Sequence, residues 1–390
     1  MLLRSPRFWL YSFLSVCCVL AGWAVHHSAQ DASWLARQAY PFKSLLSSGN
    51  EQCSGPQQKM LSTMLKTARQ HGSLTSQVVY WSPNNGFSSC SSAERGETPN
   101  PNARYRYASL TKLLTAQATL QAMAEHKLPL NTPLSHFIPQ AGAAQDQRWA
   151  QVTIEQLLTH SAGLNRLRSP DPMTRHAVTP WCPNNLGRLL DAKLDFAPGA
   201  GYGYSNLTYC LLGVVLEKLT KQPYRDAMTQ KLALEDYGIS FIDGPYTADE
   251  VTYDFRHTGF YSDDYYKYLD FAALSSSAGL SGTAQGLVQW LIDQRQANLL
   301  SVTKPVWPES CDLTRKRSCY GYAAFPYRQA GQNLTVQVQQ GYVFGASSSL
   351  LLDEHGGIFL WLGNGTAPQG SASDHMLDAI YLQLVKHYAK

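Results

Sequence analysis

The spacing of hydrophobic residues predicts amphipathic helices near the start and at the end of the folded chain. Apolar residues recur every three or four positions over residues 57–71 and again over residues 378–388. Short apolar runs bounded by turn residues predict strands at 77–81, 334–338, 347–352 and 358–362. A turn at 83–86 follows the first of these strands, and residues 353–357 form the turn between the last two.

The middle of the chain has helical patterns. An apolar stripe follows Ser109, residues 207–220 are strongly apolar, and residues 284–295 are amphipathic. Thr153 and Gln156 have the spacing of a capping box at the start of another helix. Strands near both ends and helices between them predict a mixed α/β (α+β) fold. Its antiparallel sheet is built from N- and C-terminal strands flanked by helices, with an inserted all-helical lobe.

The N-terminus is typical of an export signal. Arg4 and Arg7 precede an uncharged, largely apolar stretch at residues 8–25. This stretch is also long enough to remain in the bilayer as a single anchor. The predicted organisation is a signal peptide or signal anchor at 1–30, a polar linker at 31–55 and one folded domain at 56–390.

Composition narrows the function classes. The formal net charge of +4 is spread along the chain without a long Lys/Arg run, so no nucleic-acid partner is expected. Six cysteines lie outside the apolar N-terminal stretch, and an even number in an exported protein predicts disulfides, with buried free thiols as the alternative. Pairing of neighbours is the simplest connectivity: Cys53 with Cys90, Cys182 with Cys210, and Cys311 with Cys319. The cysteine and histidine spacings match no metal motif, so neither a metal nor a cofactor is expected.

Ser109-Leu110-Thr111-Lys112 is the first candidate for chemistry. A spacing of three places serine and lysine on one helical face, one turn apart. Serine is a weak nucleophile that needs a base, and lysine acts as a base where burial or a nearby cation lowers its pKa. A serine at a helix N-terminus also has backbone N–H groups near a developing oxyanion. Taken alone, the motif more often marks a helix-capping serine and a solvated lysine than a catalytic pair.

Tyr204-Ser205-Asn206 is the second candidate. A phenol close to Lys112 is able to act as a tyrosinate or as a proton relay, and Asn206 is able to bind a substrate amide and orient Lys112. His160 lies between the two motifs along the chain. We interpret it as a structural histidine at a helix end rather than a base.

The order of the motifs resembles the family of class C β-lactamases and related penicillin-binding-protein-like serine hydrolases. The resemblance rests on residues 107–112, residues 157–164, and Tyr204-Ser205-Asn206 after Pro198-Gly199; residues 275–284 resemble a later segment of the family. It implies an active site between the sheet domain and the helical lobe. It also implies that Ser109 is acylated, that Lys112 and Tyr204 share the proton transfers, and that Asn206 positions the acyl amide.

The third motif of the resembled family is altered. By spacing, Gln339-Gln340-Gly341 stands where that family has Lys-Thr-Gly or His-x-Gly. The basic residue helps to hold a substrate carboxylate in the family, so its loss favours uncharged substrates or a carboxylate-binding group elsewhere. Gly341 keeps room for substrate beside the strand. The resemblance implies that the backbone N–H of Tyr342 joins that of Ser109 as the oxyanion hole.

These features predict an exported serine hydrolase on the periplasmic side of the bacterial inner membrane. It would act on a peptide, amide or ester through an acyl-Ser109 intermediate, with cell-wall D-Ala peptides as natural substrates. One alternative is an esterase of the same family. The other is a catalytically inactive peptidoglycan-binding module, which Gln339 favours. The joint presence of Ser109, Lys112, Tyr204 and Asn206 argues for the enzyme.

Overall fold

The computed structural model describes residues 6–30, 42, 46, 48–169, 173, 180–253, 265–297, 307, 309–343, 345–365 and 374–389. Helix α1 (Pro6–Gln30) includes the segment Trp9–His26, which is apolar and long enough to cross a membrane. A signal sequence near the N-terminus has the same properties, so both predicted fates of this segment remain open. Most of the predicted linker at 31–55 lies outside the described residues.

Within the residues that the structure describes, ten strands form two antiparallel sheets. They are β1 (Ser48–Ser54), β2 (Ser76–Ser82), β3 (Gly86–Glu94), β4 (Tyr105–Arg106), β5 (Ser240–Phe241), β6 (Leu280–Gly282), β7 (Phe325–Tyr327), β8 (Val336–Val343), β9 (Ala346–Asp353) and β10 (Ile358–Gly363). The large sheet has seven strands in the order β1-β3-β2-β10-β9-β8-β7, and the small sheet has the order β4-β6-β5. Strand β2 pairs with β10, so the large sheet joins the two ends of the chain as predicted.

Both faces of the large sheet are covered. Because side chains alternate along a strand, Phe359 and Trp361 of β10 face one core while Leu360 and Leu362 face the other. All eight residues of β9 and all six of β10 are buried. Covered faces explain why these strands are continuous apolar or small-residue runs rather than alternating ones.

Helices cover both faces of the large sheet and fill the lobe. They are α2 (Gln58–Gln70), α3 (Thr111–Glu125), α4 (Pro139–Ala143), α5 (Ile154–Leu158), α6 (Asn206–Thr220), α7 (Tyr224–Leu232), α8 (Phe271–Ala278), α9 (Ala284–Gln296) and α10 (His375–Tyr388). Helices α2 and α10 share a core with Phe359 and Trp361, whereas α3 packs against α6 and α8 in the lobe. The predicted capping box of Thr153 and Gln156 opens α5. The predicted α+β fold with its helical lobe is confirmed.

The predicted linker boundary at residue 55 is wrong. Residues of β1 pair with β3 at the sheet edge, and Glu51 accepts hydrogen bonds from Ser62 and Arg69 of α2. Strand β3 was also absent from the prediction. Its sequence, GFSSCSSAE, is rich in serine and lacks the apolar alternation that identifies a strand.

The three predicted disulfides are present. Cys53–Cys90 joins β1 to β3, Cys182–Cys210 ties a lobe loop to α6, and Cys311–Cys319 closes a loop of the chain before β7. The alternative of free buried thiols is wrong for these six cysteines. Cys17 and Cys18, within α1, are free.

Candidate active site

Ser109 lies between a short strand and a long buried helix. The chain leaves β4, turns through a positive φ of 51° at Ala108, and forms a 3-10 turn over Ala108–Leu110 before α3 begins at Thr111. A positive φ is unfavourable for alanine, so the surrounding structure must hold this turn. Ser109 is 8% exposed. The sequence-based prediction placed Ser109 at the helix start, and the structure adds the 3-10 turn.

A buried ion pair fixes the strand that precedes Ser109. Arg106 Nε donates to Glu250 Oε1 at 2.6 Å, and the two side chains are 0% and 2% exposed. The hydroxyl of Tyr253 also donates to Glu250 Oε1, at 2.9 Å. The Arg106 guanidinium lies 5.1 Å from the ring centre of Tyr246. Paired charges of this kind resist displacement because separating them leaves an uncompensated buried ion.

Lys112 is fully buried and holds three parts of the site together. Its Nζ donates to Ser109 Oγ at 3.2 Å, to Asn206 Oδ1 at 2.7 Å and to the carbonyl oxygen of Ser277 at 2.8 Å. An ammonium group has three N–H donors, which matches these three acceptors. The contact with Ser109 is the one that the three-residue spacing predicts.

Tyr204 is the second side chain that contacts the Ser109 hydroxyl. Its hydroxyl lies 2.8 Å from Ser109 Oγ, and Lys112 Nζ lies 5.1 Å from the centre of its ring. Burial raises the pKa of the phenol, but the Lys112 charge, hydrogen bonding with Lys112 and Ser109, and the Arg166 charge together lower the pKa of Tyr204 below its usual range. Such a phenol is able to accept the serine proton at a lower pH than free tyrosine.

His160 is a buried structural residue, as predicted. Its Nδ1 lies 2.8 Å from Thr208 Oγ1, and its ring packs against Tyr204 with the ring centres 4.5 Å apart. Burial first, and then the charges of Lys112 and Arg166, lower the pKa of His160 well below its usual range. The imidazole is therefore neutral near pH 7 and supports Tyr204 without contacting Ser109.

Strand β8 forms the other wall beside Ser109. A Cβ atom at Gly341 would lie 2.8 Å from the backbone nitrogen of Ser109 and 2.6 Å from the carbonyl oxygen of Tyr107. Only glycine allows this approach. Gln339, on the same face of the strand, donates from Nε2 to the Ser109 carbonyl oxygen at 2.6 Å. Its Oε1 accepts from the hydroxyl of Tyr320 at 2.7 Å.

The structure thus brings together Ser109, Lys112, Tyr204, Asn206, Gln339 and Gly341, with Tyr342 next along β8. Gln339 is 3% exposed, and both ends of its amide bind protein groups, so it holds Ser109 in place. Sequence reasoning missed Ser277 and Tyr320. Ser277 lies within residues 275–284, whose resemblance to a family segment was its only signal.

Comparisons with known proteins show the family and the fold of this chain. A family model described as Beta-lactamase matches residues 76–369. A putative fimbrial assembly protein, FimD of serogroup D from Dichelobacter nodosus, is 36% identical over 334 residues, 84% of each chain. The D-alanyl-D-alanine-carboxypeptidase/endopeptidase AmpH of Escherichia coli (strain K12) is 32% identical over 155 residues, 36% of this chain and 40% of that protein. The crystal structure of a D-stereospecific amidohydrolase from Streptomyces sp. has the same fold, with a TM-score of 0.64 at 20% identity over 84% of this chain and 99% of its own.

Proposed function

Because the chain belongs to the Beta-lactamase family, we propose that it is an exported serine hydrolase that forms an acyl-enzyme at Ser109. One observation carries the proposal: Lys112 Nζ and the Tyr204 hydroxyl lie 3.2 Å and 2.8 Å from the same Ser109 Oγ. A nucleophile with two proton-transfer groups in hydrogen-bonding contact is the arrangement that covalent catalysis needs.

Acylation begins when Ser109 Oγ attacks the substrate carbonyl carbon and passes its proton to the Tyr204 oxygen. Lys112 remains bound to Asn206 and to the Ser277 carbonyl, and its charge stabilises the phenolate form of Tyr204. When the tetrahedral intermediate collapses, the bond to the leaving group breaks and Tyr204 returns the proton to the leaving nitrogen or oxygen. A water molecule then attacks the acyl carbon of the acyl-Ser109 ester and passes a proton to the Tyr204 phenolate. When this second intermediate collapses, the bond between the acyl carbon and Ser109 Oγ breaks, Tyr204 returns the proton to Oγ, and the carboxylic acid product leaves.

The carbonyl oxygen becomes negative during both steps. We assign its stabilisation to the backbone N–H groups of Ser109 and Tyr342, because β8 runs beside Ser109 at Gly341. Gln339 fixes the backbone of Ser109 through its carbonyl, and Asn206 holds Lys112 and faces the acyl amide.

The N-terminus and the disulfides support a compartment outside the cytoplasm. The apolar helix Trp9–His26 acts as a signal or an anchor, and three disulfides suit an oxidising environment. We place the domain on the periplasmic side of the inner membrane. Peptides ending in D-Ala are natural substrates there, and the names of AmpH and the Streptomyces amidohydrolase refer to D-amino-acid chemistry.

Two further functions have a specific observation in their favour. The uncharged Gln339 favours an esterase, since the strand offers no cation for a substrate carboxylate. Similarity to FimD over 84% of both chains favours a role in fimbrial assembly, with the hydrolase acting on an exported peptide or protein. A chromosomal Ser109→Ala allele tests the latter: if surface fimbriae persist at normal number, the chemistry is not needed for assembly.

The catalytic proposal is tested by labelling the purified protein with a fluorescent fluorophosphonate and a fluorescent penicillin. Intact mass should show one covalent adduct at Ser109, and Ser109→Ala should abolish it. A Ser161→Ala variant, which removes a hydroxyl bonded to Thr159 instead, is the matched control and should label normally. Absence of labelling by both reagents in correctly folded protein would favour the inactive binding module. Turnover of D-Ala peptides, D-amino-acid amides and short-chain esters then separates the peptidase from the esterase.

A further inference from the structure

A cavity of about 540 Å³ opens beside Tyr204 and has a strongly basic wall. The charged residues that line it are Arg166, Arg315, Lys316 and Arg317. Among the described residues, the lining contains no aspartate or glutamate. Its volume falls in the range of roughly 300–1,000 Å³ that small-molecule sites occupy. The cavity therefore combines the size of a substrate pocket with a concentration of positive charge.

Three of these four side chains form no ion pair within the part of the chain that the structure describes. Lys316 is the exception, since it forms an ion pair with Asp378 at 2.8 Å. Arg317 donates to the neutral amide oxygen of Gln340 at 2.8 Å, and Asp374, behind that amide, offsets part of its charge. Arg166 and Arg315 form no ion pair with any described residue.

The fold holds the basic residues in place from two directions. The Arg166 backbone N–H donates to the Tyr204 carbonyl at 2.9 Å, and its guanidinium lies 5.0 Å from the centre of the Tyr204 ring. Arg317 lies in the loop that the Cys311–Cys319 disulfide closes, with a positive φ of 60°. A positive φ at a non-glycine residue is an unfavourable conformation that the surrounding loop must hold.

Tyr204 belongs both to the lining of the cavity and to the site around Ser109. Tyr204 lines the cavity, and its hydroxyl contacts Ser109 Oγ at 2.8 Å. Gln339, which lies beside Ser109, supplies no charge, because its neutral amide binds Ser109 and Tyr320. We propose that the substrate carries a carboxylate that binds between Arg166 and Arg317 while Ser109 attacks a nearby carbonyl. The proposal rests on the acyl-enzyme function above and names the substrate class for that site.

Binding of a stated pair of probes tests this without requiring turnover. N-acetyl-D-alanine and N-acetyl-D-alaninamide differ only in the negative charge. Each is titrated against the full-length protein in detergent while the rate of fluorophosphonate labelling at Ser109 is followed. The acid should halve the labelling rate at a concentration at least about tenfold lower than the amide does, since a charge-assisted hydrogen bond is roughly twice as strong as a neutral one.

Variants locate the anion site. Arg166→Gln and Arg317→Gln should each raise the protecting concentration of the acid about tenfold and reduce the acid-to-amide preference towards one. Arg188→Gln, which removes the same charge from an exposed arginine outside the cavity, should leave the preference unchanged. Raising the salt concentration should weaken protection by the acid alone, because salt screens the charge.

Three results would overturn the proposal: equal protection by acid and amide, no protection by either, or a preference that survives the Arg166→Gln/Arg317→Gln double variant. Ligand-observed NMR of the same two probes with Ser109→Ala protein gives the comparison independently of labelling. If Ser109 does not label, the acyl-enzyme function fails, and the NMR preference still decides whether the cavity binds anions.

Discussion

Tyr204→Phe is the variant that separates a catalytic phenol from a merely packed one. The change removes only the hydroxyl oxygen that lies 2.8 Å from Ser109 Oγ. The ring that packs on His160 at 4.5 Å and under Lys112 at 5.1 Å is retained, so folding should be preserved. Loss of a general base slows a reaction by roughly 10²–10⁴-fold, or about 3–5 kcal/mol of transition-state stabilisation.

The pH dependence gives the sharper result. Burial raises the pKa of Tyr204, but Lys112, Ser109 and Arg166 outweigh burial and lower this pKa below the usual value for tyrosine. Only the deprotonated phenol accepts the serine proton, so the acylation rate should rise with pH and level off before pH 10. Tyr204→Phe should lose this rising limb as well as the rate. The assay is the second-order rate constant of fluorophosphonate labelling, measured by intact mass across the pH range.

Tyr209→Phe is the matched control. It removes a phenol hydroxyl that donates to the Leu158 carbonyl at 3.1 Å, next to Lys112 but away from Ser109. Labelling of this variant should stay near the parent rate. The reasoning is refuted if Tyr204→Phe labels within about threefold of the parent, or keeps the parent pH profile, since a general base contributes far more than that.

Three further predictions concern the structure around the nucleophile. Glu250→Gln, which breaks the buried pair with Arg106, should lower the free energy of unfolding in urea by about 3–5 kcal/mol. Gly341→Ala should reduce labelling by at least about 100-fold, because its Cβ would lie 2.8 Å from the Ser109 nitrogen and force β8 away from the oxyanion site. His160 has a pKa depressed below 6.5, so the unfolded chain binds the extra proton first as pH falls. Stability should therefore fall below pH 6.5 by up to about 1.4 kcal/mol per pH unit, and His160→Gln should lack this component in urea unfolding between about pH 7.5 and about pH 5.5.

Each of these has a control in the same chain. Asp249→Asn breaks the ion pair between Asp249 and Arg104. Because the Asp249 side chain is 52% exposed, the free energy of unfolding should change by no more than about 1 kcal/mol. Gly201→Ala adds a methyl group with no atom within 4 Å and should leave labelling intact. Equal losses in a variant and its control would contradict the buried-charge or close-approach argument, and equal pH slopes in parent and His160→Gln would contradict the histidine assignment.

The parts of the fold that bury apolar residues at a regular spacing could be predicted from sequence. Strands β9 and β10 and helices α6 and α9 are examples, and the capping box of Thr153 is another, because each depends on neighbours a few residues apart. Strands β1 and β3 could not be predicted in this way. Their residues are mostly polar, and the disulfide and the α2 contacts of Glu51 that hold them form only in the folded chain.

In the candidate site, too, contacts between sequence neighbours could be predicted, whereas contacts between distant residues could not be predicted from local spacing. The contact between Ser109 and Lys112 follows from helical geometry, so the sequence could indicate it. Tyr204 required the resemblance, since 95 residues separate it from Ser109. Ser277 offers a backbone carbonyl, which any residue type provides, so its identity carries no signal. The basic cavity could not be predicted from the sequence for a related reason. Arg166 and Arg317 are far apart in sequence, and only the fold brings them to the same cavity.

Gln339 bears most directly on whether the site is active. A position that had merely lost its basic residue would be expected to leave unmatched polar groups around it, because buried polar atoms are costly without partners. Instead the Gln339 amide is matched at both ends, with the Ser109 carbonyl at 2.6 Å and the Tyr320 hydroxyl at 2.7 Å. The side chain thus couples the nucleophile to the aromatic cluster around Tyr204, which an inactive binding module would not need. In our proposal the arginines beside Tyr204 take the place of the cation that the strand lacks, while Ser109, Lys112 and Tyr204 remain in hydrogen-bonding contact.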